Sequence, residues 1–490
     1  MEQKRLEMAM SELPNGWVEC KIGEVCSKPQ YGWTTKSERT GKIKYLRTTD
    51  LSNGKIIWDN VPYCINIPKD VGKYLIRKND ILISRAGSVG KSYIISDISI
   101  ETVFASYLIR FNTLDEINSK FIYYYFHTKN YWQSISDLTT GIAIPNVNAT
   151  KLAEIEIPLA PLNEQKRIVE KLDKLLAKVE DAKARLEKIP VIIKRFRQSV
   201  LNAAVTGELT KDWRERNAVD ESGAILINRI FINRTKKNIK LKFVEIDSSK
   251  ITEIKNWSRT CLQNIFDVET GSTPSRKNNA YWENGKIPWI KSGQVQNCDI
   301  IESEEYITEK ALKETNVSLL PIDTILIAMY GEGKTRGQVG VLKIKATINQ
   351  ACAALVNESI DEVIRNYVYL FCLSQYAEIR MISVGGNQPN LNISKIKNWE
   401  INIPPYAEQK EIVKRVEALL KKADEIEERY KKAKAFVDKL TQSILAKAFR
   451  GELVPQDPND PPASKLLEKI KLEKEKLNLN KKQKKKSAGR

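Results

Sequence analysis

The chain has 490 residues, 42% apolar and 29% charged, which is room for several domains and holds no apolar run approaching the roughly 20 residues of a membrane helix. Its single histidine, His127, leaves little from which to build Ser-His-Asp triads, HExxH zinc sites or Cys/His fingers, while 7 cysteines without a CxxC pair and a start (MEQKRLEMAMSELPNG) without an apolar leader core fit a reducing cytoplasm. Lys+Arg number 80 against 61 Asp+Glu, a formal +19 of which +8 falls from Lys465 to Arg490, and the +11 left for the body favours a polyanionic partner, nucleic acid before membrane.

In chain order, residues 12–157 predict a mixed α/β domain: short β-rich runs (KIIW, YLIR, DILIS, ASYLIRF) are broken by Gly, Asn and Ser, and a helical stretch, FIYYYFHTKNYWQSI, stands near the end. Residues 158–212 carry apolar residues at Ile168, Leu172, Leu175, Val179, Ala182, Leu186, Ile189, Ile193, Phe196 and Val200, alternating steps of four and three. That is a heptad seam and predicts a helical rod, kinked at Pro190. A polar connector, 213–250, holds a short helix around Leu226, and residues 251–403 predict a second mixed domain (DTILIAMY, VGVLKI, ACAALV, then NYVYLFCLSQYAEI). In 404–454 a second seam runs through Ile412, Val416, Leu419, Ala423, Ile426, Tyr430, Ala433, Val437, Leu440 and Ile444. Lys434 stands where the first rod has Pro190, so this helix is predicted unbroken, about 40 residues and roughly 60 Å long at about 1.5 Å per residue. Residues 455–490 predict a short helix (LLEKI, from Leu466) and a Lys/Asn-rich tail, disordered beyond Leu477.

The second half repeats the first. PLNEQKRIVEKLDKLLAKVEDA from Pro161 returns as PYAEQKEIVKRVEALLKKADEI from Pro405, with Glu164 and Glu408 lying 244 residues apart. The same step joins Gln198-Ser199 to Gln442-Ser443 and Gly207-Glu208-Leu209 to Gly451-Glu452-Leu453, while Trp17 pairs with Trp257 at a slightly different step. Helical parts repeat closely and strand-rich parts diverge, the pattern of one scaffold carrying two different reading heads. Two independent amphipathic helices are the plainer alternative, but rods of matching length bury their stripes most simply against each other. The expected class is therefore α+β: a tandem pseudo-two-fold repeat of two mixed α/β domains separated by two long antiparallel coiled-coil helices.

Three segments resemble catalytic motifs, and each departs from the pattern its chemistry needs. Ala328–Thr335 satisfies a loose phosphate-loop pattern, but Arg336-Gly-Gln-Val-Gly after it is strand-like where a phosphate loop needs a helix. A nuclease centre built on Asp323, Glu332 and Lys334 has no counterpart in the first half, which keeps Asp80 but has Ser88-Val-Gly for the rest. Asn402-Ile-Pro-Pro-Tyr406 has an inserted Ile relative to the adenine methyltransferase signature and no glycine-rich cofactor loop upstream. A stand-alone DNA-binding NTPase or nuclease using the Ala328–Thr335 loop stays as the alternative function.

The glycine-rich basic loops at matching positions suit DNA, since cations and small polar groups meet phosphates and planar side chains meet base edges. The candidates in the first domain are Trp33, Thr34, Arg47, Thr48, Arg85, Ser88, Lys91, Ser92 and Thr140. Those in the second are Thr273, Ser275, Arg276, Lys291, Ser292, Gln294, Tyr330, Lys334, Arg336, Gln338, Asn387 and Gln388. Solvated turns with incidental charge are the competing explanation for any one of them.

Residues Ile157–Thr210 and Pro404–Val454, with their duplicated EQK, QS and GEL, resemble the specificity subunit of type I restriction-modification enzymes, as does the order of a Trp-opened domain before each rod. The resemblance implies a DNA-reading subunit with two target-recognition domains and a bipartite, asymmetric double-stranded DNA site, one half per domain, and no catalysis of its own. It also implies partners docked on the rods: two adenine-methyltransferase subunits that bind S-adenosylmethionine, and two restriction-translocase subunits that use ATP and magnesium. No cofactor, metal or membrane is expected for this chain itself.

Overall fold

The structure, a computed structural model, describes residues 13–51, 56–98, 100–140, 146–237, 242–246, 254–331, 335–382 and 391–487. The chain forms two compact units, Met1–Glu187 with Lys432–Arg490, and Lys188–Lys431.

In the first unit the two ends of the mixed domain are tied together, strand Val18–Lys21 pairing antiparallel with Glu156–Leu159. Between them lie two four-stranded sheets. One has the order Gln30–Tyr31, Leu108–Phe111, Ile81–Ser84, Ser92–Ile94. The other runs Ser37–Glu38, Tyr63–Cys64, Lys44–Leu46, Thr102–Phe104, its last two strands parallel. Ile81–Ser84 is buried along its whole length, which is why it reads as an unbroken apolar run. Helix Ser119–Tyr125 starts where the Asn118 side chain accepts from the backbone N–H groups of Lys120 and Phe121, and helix Lys129–Thr139 starts on Thr128, which accepts from Tyr131 N–H. Phe111, Phe121, Phe126 and Tyr131 form one core with Ile168, Leu172 and Val179 of helix Leu162–Leu186 and with Ile444, Leu445 and Phe449 of the second rod. The start of one helix thus meets the end of the other, the antiparallel pairing the seams predict.

The second unit repeats this plan. Ser258–Cys261 pairs antiparallel with Glu400–Ile403. A five-stranded sheet has the order Asp267–Thr270, Cys352–Val356, Ile325–Ala328, Val339–Leu342, Cys298–Ile300, and a three-stranded sheet Glu305–Ile307, Ile287–Ile290, Thr347–Ile348. Val200, Leu201 and Ala204 of helix Ile189–Val205 pack with Ile412, Val413 and Val416.

The repeated motifs are joints. Trp17 Nε1 donates to Glu164 (3.1 Å) and Trp257 Nε1 to Glu408 (2.8 Å), so each domain's opening tryptophan is fastened to the first turn of its own rod. Gln165 Nε2 donates to the Ala160 carbonyl (2.8 Å) and Gln409 Nε2 to that of Pro404 (2.9 Å). Each rod ends at a glycine in the left-handed region, Gly207 (φ 78°) and Gly451 (φ 72°), a conformation that costs other residues dearly.

Three expectations need correction. The first rod is broken, not merely kinked: one helix ends at Leu186, the next starts at Ile189, and Pro190 sits in its first turn, where a missing N–H is harmless. The second rod, by contrast, is the unbroken helix expected, Tyr406–Phe449, of 44 residues. The seam thins in the second unit, where Ile426 is 49% exposed. Arg197 reaches Asp424 (2.8 Å) and Glu427 (2.7 Å) beside a cleft of about 260 Å³ lined by Pro190, Ile193 and Tyr430, so ion pairs replace apolar contact and Ile426 turns to solvent. Ile168, Leu172, Val179, Ile412 and Val416 are buried, while Leu175, Leu186, Leu419 and Leu440 are half-buried.

The tail, expected to be disordered beyond Leu477, continues as helix Ala463–Ser487, its Lys, Glu, Gln and Leu residues being helix formers despite their polarity. In the first unit this helix buries Leu467 and Ile470, and Lys474 Nζ donates to the carbonyls of Gly23 (2.8 Å), Glu24 (2.8 Å) and Cys26 (3.0 Å). The connector helix of the second unit, Gly223–Lys237, longer than the sequence suggests, does the same there with Leu226, Ile227 and Ile230, and Arg234 donates to the Gln263 carbonyl (2.7 Å) and to Asp267 (2.5 Å).

Candidate nucleic-acid interface

In the first domain four loops meet on one surface. The segment after Gln30–Tyr31 crosses strand Thr102–Phe104 so closely that a Cβ on Gly32 would lie 2.3 Å from two carbonyl oxygens. Trp33 N–H donates to the Phe104 carbonyl (2.8 Å) and Ser106 N–H to that of Trp33 (2.9 Å). The hairpin after Ile81–Ser84 joins them through Arg85 N–H, which donates to the Tyr107 carbonyl (2.9 Å), and residues 146–149 join through Val147 N–H on the Arg85 carbonyl (3.2 Å). Gly87 (φ 75°) and Gly90 (φ 82°) turn the hairpin. The second domain builds the same arrangement: a Cβ on Gly271 would meet the Ile348 carbonyl oxygen at 1.9 Å, Ser272 N–H donates to that oxygen (3.1 Å), and Met329 N–H donates to Ala351 (2.8 Å).

The candidate residues divide by what already holds them. Arg47 is committed to Asp50 (2.9 Å) and Ser37 (3.2 Å), and the hydrogen bond to Asp50 raises its pKa. Trp33 donates its indole N–H to the Asn66 carbonyl (2.7 Å) and leans on Tyr74. Thr48 is half-buried in the turn Thr48–Leu51, and Thr140 caps a helix end by donating to the Ser136 carbonyl (2.8 Å). Ser92 is buried with its hydroxyl 3.4 Å from His127 Nε2, so it faces the interior; Thr34, Ser88 and Lys91 are exposed. Arg85 is half-buried, its guanidinium 5.0 Å from the centre of the Tyr31 ring.

In the second domain Arg276 stacks on Trp282 (3.6 Å) and pairs with Glu305 (2.5 Å), to which Lys291 also pairs (2.8 Å). Hydrogen bonds donated to Glu305 and Glu304 raise the Lys291 pKa. Thr273 hydrogen-bonds Gln350, the Ser275 carbonyl accepts from Trp282 Nε1 (3.1 Å), and Gln294 Oε1 accepts from Lys291 N–H (3.4 Å) beside half-buried Ser292. Tyr330 is exposed, and Arg336 and Gln338 are half-buried in the hairpin that follows. Lys334, Asn387 and Gln388 lie outside the described residues, as does Glu332.

Sequence reasoning missed Tyr107. Tyr107 is 61% exposed in the turn before strand Leu108–Phe111, and ASYLIRF reads as one uninterrupted strand. An aromatic residue beside Ala105-Ser106 was the available signal.

The catalytic motifs lose their geometry. Strand Val339–Leu342, not a helix, follows the Ala328–Thr335 segment. Asp323 is held by Lys343 (3.0 Å) and Arg365 (3.0 Å), and Asp80 by Arg110 (3.2 Å) and Asn112, so both carboxylates are structural partners of cations or amides. Burial pushes His127 down to about 4, which leaves it neutral at pH 7. No group of three or more acidic, His or Cys side chains able to hold a metal occurs among the described residues.

Comparison with known proteins decides the family. The model of the type I restriction modification DNA specificity domain matches twice, over residues 14–191 and 254–434. The chain is a type I restriction-modification specificity subunit by family. It is 32% identical over 498 residues to the type I restriction enzyme EcoKI specificity subunit of Escherichia coli strain K12, covering 95% of this chain and 97% of that one. To the EcoBI specificity subunit of Escherichia coli it is 34% identical over 378 residues, 73% and 72% of the two chains. The crystal structure of the HsdS subunit from Thermoanaerobacter tengcongensis shares the fold, with a TM-score of 0.55 at 18% identity over 90% of this chain and 99% of that one. The two matched segments are the two mixed domains with the first part of each rod, so the duplication is that of the specificity domain itself. No described helix is long and apolar enough to cross a membrane.

Proposed function

We propose that this specificity subunit reads a bipartite, asymmetric DNA site, one half through each domain, and directs two adenine-methyltransferase subunits and two ATP-dependent restriction-translocase subunits to it. The chain performs no chemistry; S-adenosylmethionine, ATP and magnesium belong to the partners, and the assembly works in the cytoplasm. The observation that supports this reading is the pairing of repeated joints with different loops. Both domains close on their rods through the same Trp-Glu bond, yet the surfaces at matching positions carry Tyr31, Arg85 and Tyr107 in one and Thr270, Met329 and Ala351 in the other. Identical mounting with different surface chemistry is what two heads with different half-sites need.

Partner docking fits the rods. Val191, Ile192 and Phe196 of the helix after Pro190 are exposed large apolar residues, as surfaces awaiting a partner are.

The test exchanges residues 251–403 for those of a relative and maps methylated adenines in host DNA. One half-site is expected to change and the other to persist; a change in both would refute independent heads. Incubation of the purified chain with DNA, ATP and magnesium is expected to yield neither cleavage nor turnover, and either product would overturn the non-catalytic assignment.

A further inference from the structure

Arg85 stands apart from the other half-buried or buried arginines of its domain. Arg47 is paired with Asp50 and Arg110 with Asp80, so their charges are spent inside the fold. The Arg85 guanidinium makes no hydrogen bond or ion pair among the described residues, and its Nε is enclosed without an acceptor. An Nε of this kind also occurs in Arg110, so it is the terminal nitrogens that set Arg85 apart: they are not enclosed and have no partner among the described residues, and a half-buried charge in that state is available to an acceptor supplied from outside.

Its plane is also set in advance. The guanidinium lies 5.0 Å from the centre of the Tyr31 ring, and Tyr31 is itself fixed, its hydroxyl accepting from Ala149 N–H (3.0 Å). The Arg85 backbone is held on both sides, by the Tyr107 carbonyl and by Val147 N–H. An arginine stacked on an aromatic ring keeps its fork of donors in one orientation, which suits a pair of acceptors held at a fixed place, whereas a phosphate can equally be met by a mobile lysine. Lys91, exposed on the same hairpin, is such a cation. The planar two-acceptor edge that DNA offers to arginine is guanine, through O6 and N7 in the major groove.

We infer that Arg85, oriented by Tyr31, reads a guanine in the half-site of the first domain. This rests on the DNA-specificity reading above. Met329, at the matching place in the second domain, has no charge, so the assignment applies to one half-site only.

The experiment selects bound duplexes from a randomised pool with the modification complex carrying the wild-type chain, Arg85→Ala or Arg85→Lys. It then measures affinity for the selected site with 7-deazaguanine at each guanine in turn. Both variants are expected to lose a guanine preference at a single position of one half-site, by about tenfold to a hundredfold, with the rest of the motif unchanged. Removing N7 at that position should weaken the wild type and leave Arg85→Ala unaffected. The lysine variant keeps the charge and most of the stem, so it carries the test should the alanine variant not fold. Uniform weakening across all sequences with a salt slope smaller by about one, or full recovery of the motif by lysine, would make Arg85 a phosphate contact and overturn the inference. An unchanged motif in both variants would make it a packing residue, with the same consequence. A wild-type complex that selects no motif would instead overturn the specificity reading, and the inference with it.

Discussion

The two repeated glutamates occupy the same joint and should respond oppositely to the same substitution. Glu408 accepts from Trp257 (2.8 Å), Thr210 (2.7 Å) and Arg214 (2.5 Å), and the pair with Arg214 is largely enclosed, 1% and 19% exposed. Glu408→Gln keeps the shape but turns an ionic bond into a neutral one and leaves Arg214 without its counter-charge. Hydrogen bonds to charged groups contribute about 1.5–3 kcal/mol, so we expect a loss of about 2 kcal/mol in the second unit. Glu164, equally buried, lacks an arginine in that place: it accepts from Trp17, and its Oε1 is enclosed without a partner among the described residues. Burial therefore raises its pKa. A carboxyl whose folded pKa is raised contributes stability below its ordinary value near 4.5 and loses that contribution as pH rises through the folded value, so at pH 7 the ionised group is a burden. Glu164→Gln should stabilise the first unit at pH 7 and be neutral at pH 4. Amide exchange in the paired strands 18–21/156–159 and 258–261/400–403 reads the units separately. At pH 7 we expect exchange about thirtyfold faster in the second pair with Glu408→Gln, the equivalent of 2 kcal/mol, and slower in the first with Glu164→Gln. Equal effects of the same sign would refute the idea that the partners of these glutamates, rather than the motif, set their contribution.

Removal of residues 463–490 should destabilise the first unit by several kcal/mol, since Leu467 and Ile470 each bury about 1.5–3 kcal/mol of apolar surface, and should leave amide exchange in the second unit unchanged. Truncation after Asn480 should keep the methylated sequence and weaken nonspecific DNA binding at low salt, because the lysines it removes act as point charges; identical salt dependence would make them inert. Gly32→Ala should abolish recognition of the first half-site and Gly271→Ala that of the second, each without affecting the other, because the added methyl would press on a carbonyl oxygen at 2.3 or 1.9 Å; half-site mutants of the DNA in binding assays distinguish the two.

The helices and the duplication were legible because their signals are periodic: heptad spacing and the 244-residue step locate both rods from sequence alone. What periodicity does not carry is which residue across the seam answers. Ile426 keeps the heptad spacing, but Arg197 facing Asp424 and Glu427 decides the contact. Composition likewise misjudged the end of the chain, where a Lys-rich stretch finds a helix start at Ala463, whose N–H donates to the Gly16 carbonyl 447 residues away (2.8 Å). For the site, the Gly, Arg and Lys content of the sequence singled out the loops as candidates but could not separate spent charges from available ones. Arg47, Arg276 and Lys291 have acidic partners at separations from three to 29 residues, and only the fold brings these partners together.

The contrast between joints and loops also separates the residues that hold the fold from those the proposed DNA reading uses. Each joint residue is there because few alternatives meet the geometry: an indole N–H long enough to reach the rod, a carboxylate buried to receive it, an amide to hold the carbonyl before the helix, a glycine to leave it. The loops are constrained chiefly at Gly32 and Gly271, where backbones cross, and their polar side chains other than Arg85 and Arg336 are satisfied by one another or by solvent. Exchanging Arg85 for the Met found at its counterpart would disturb one stacked ring, whereas exchanging Glu408 would unseat a tryptophan, a threonine and an arginine together. On the proposed reading, stability and specificity rest on different residues, and substitutions in the second set are nearly free in the first.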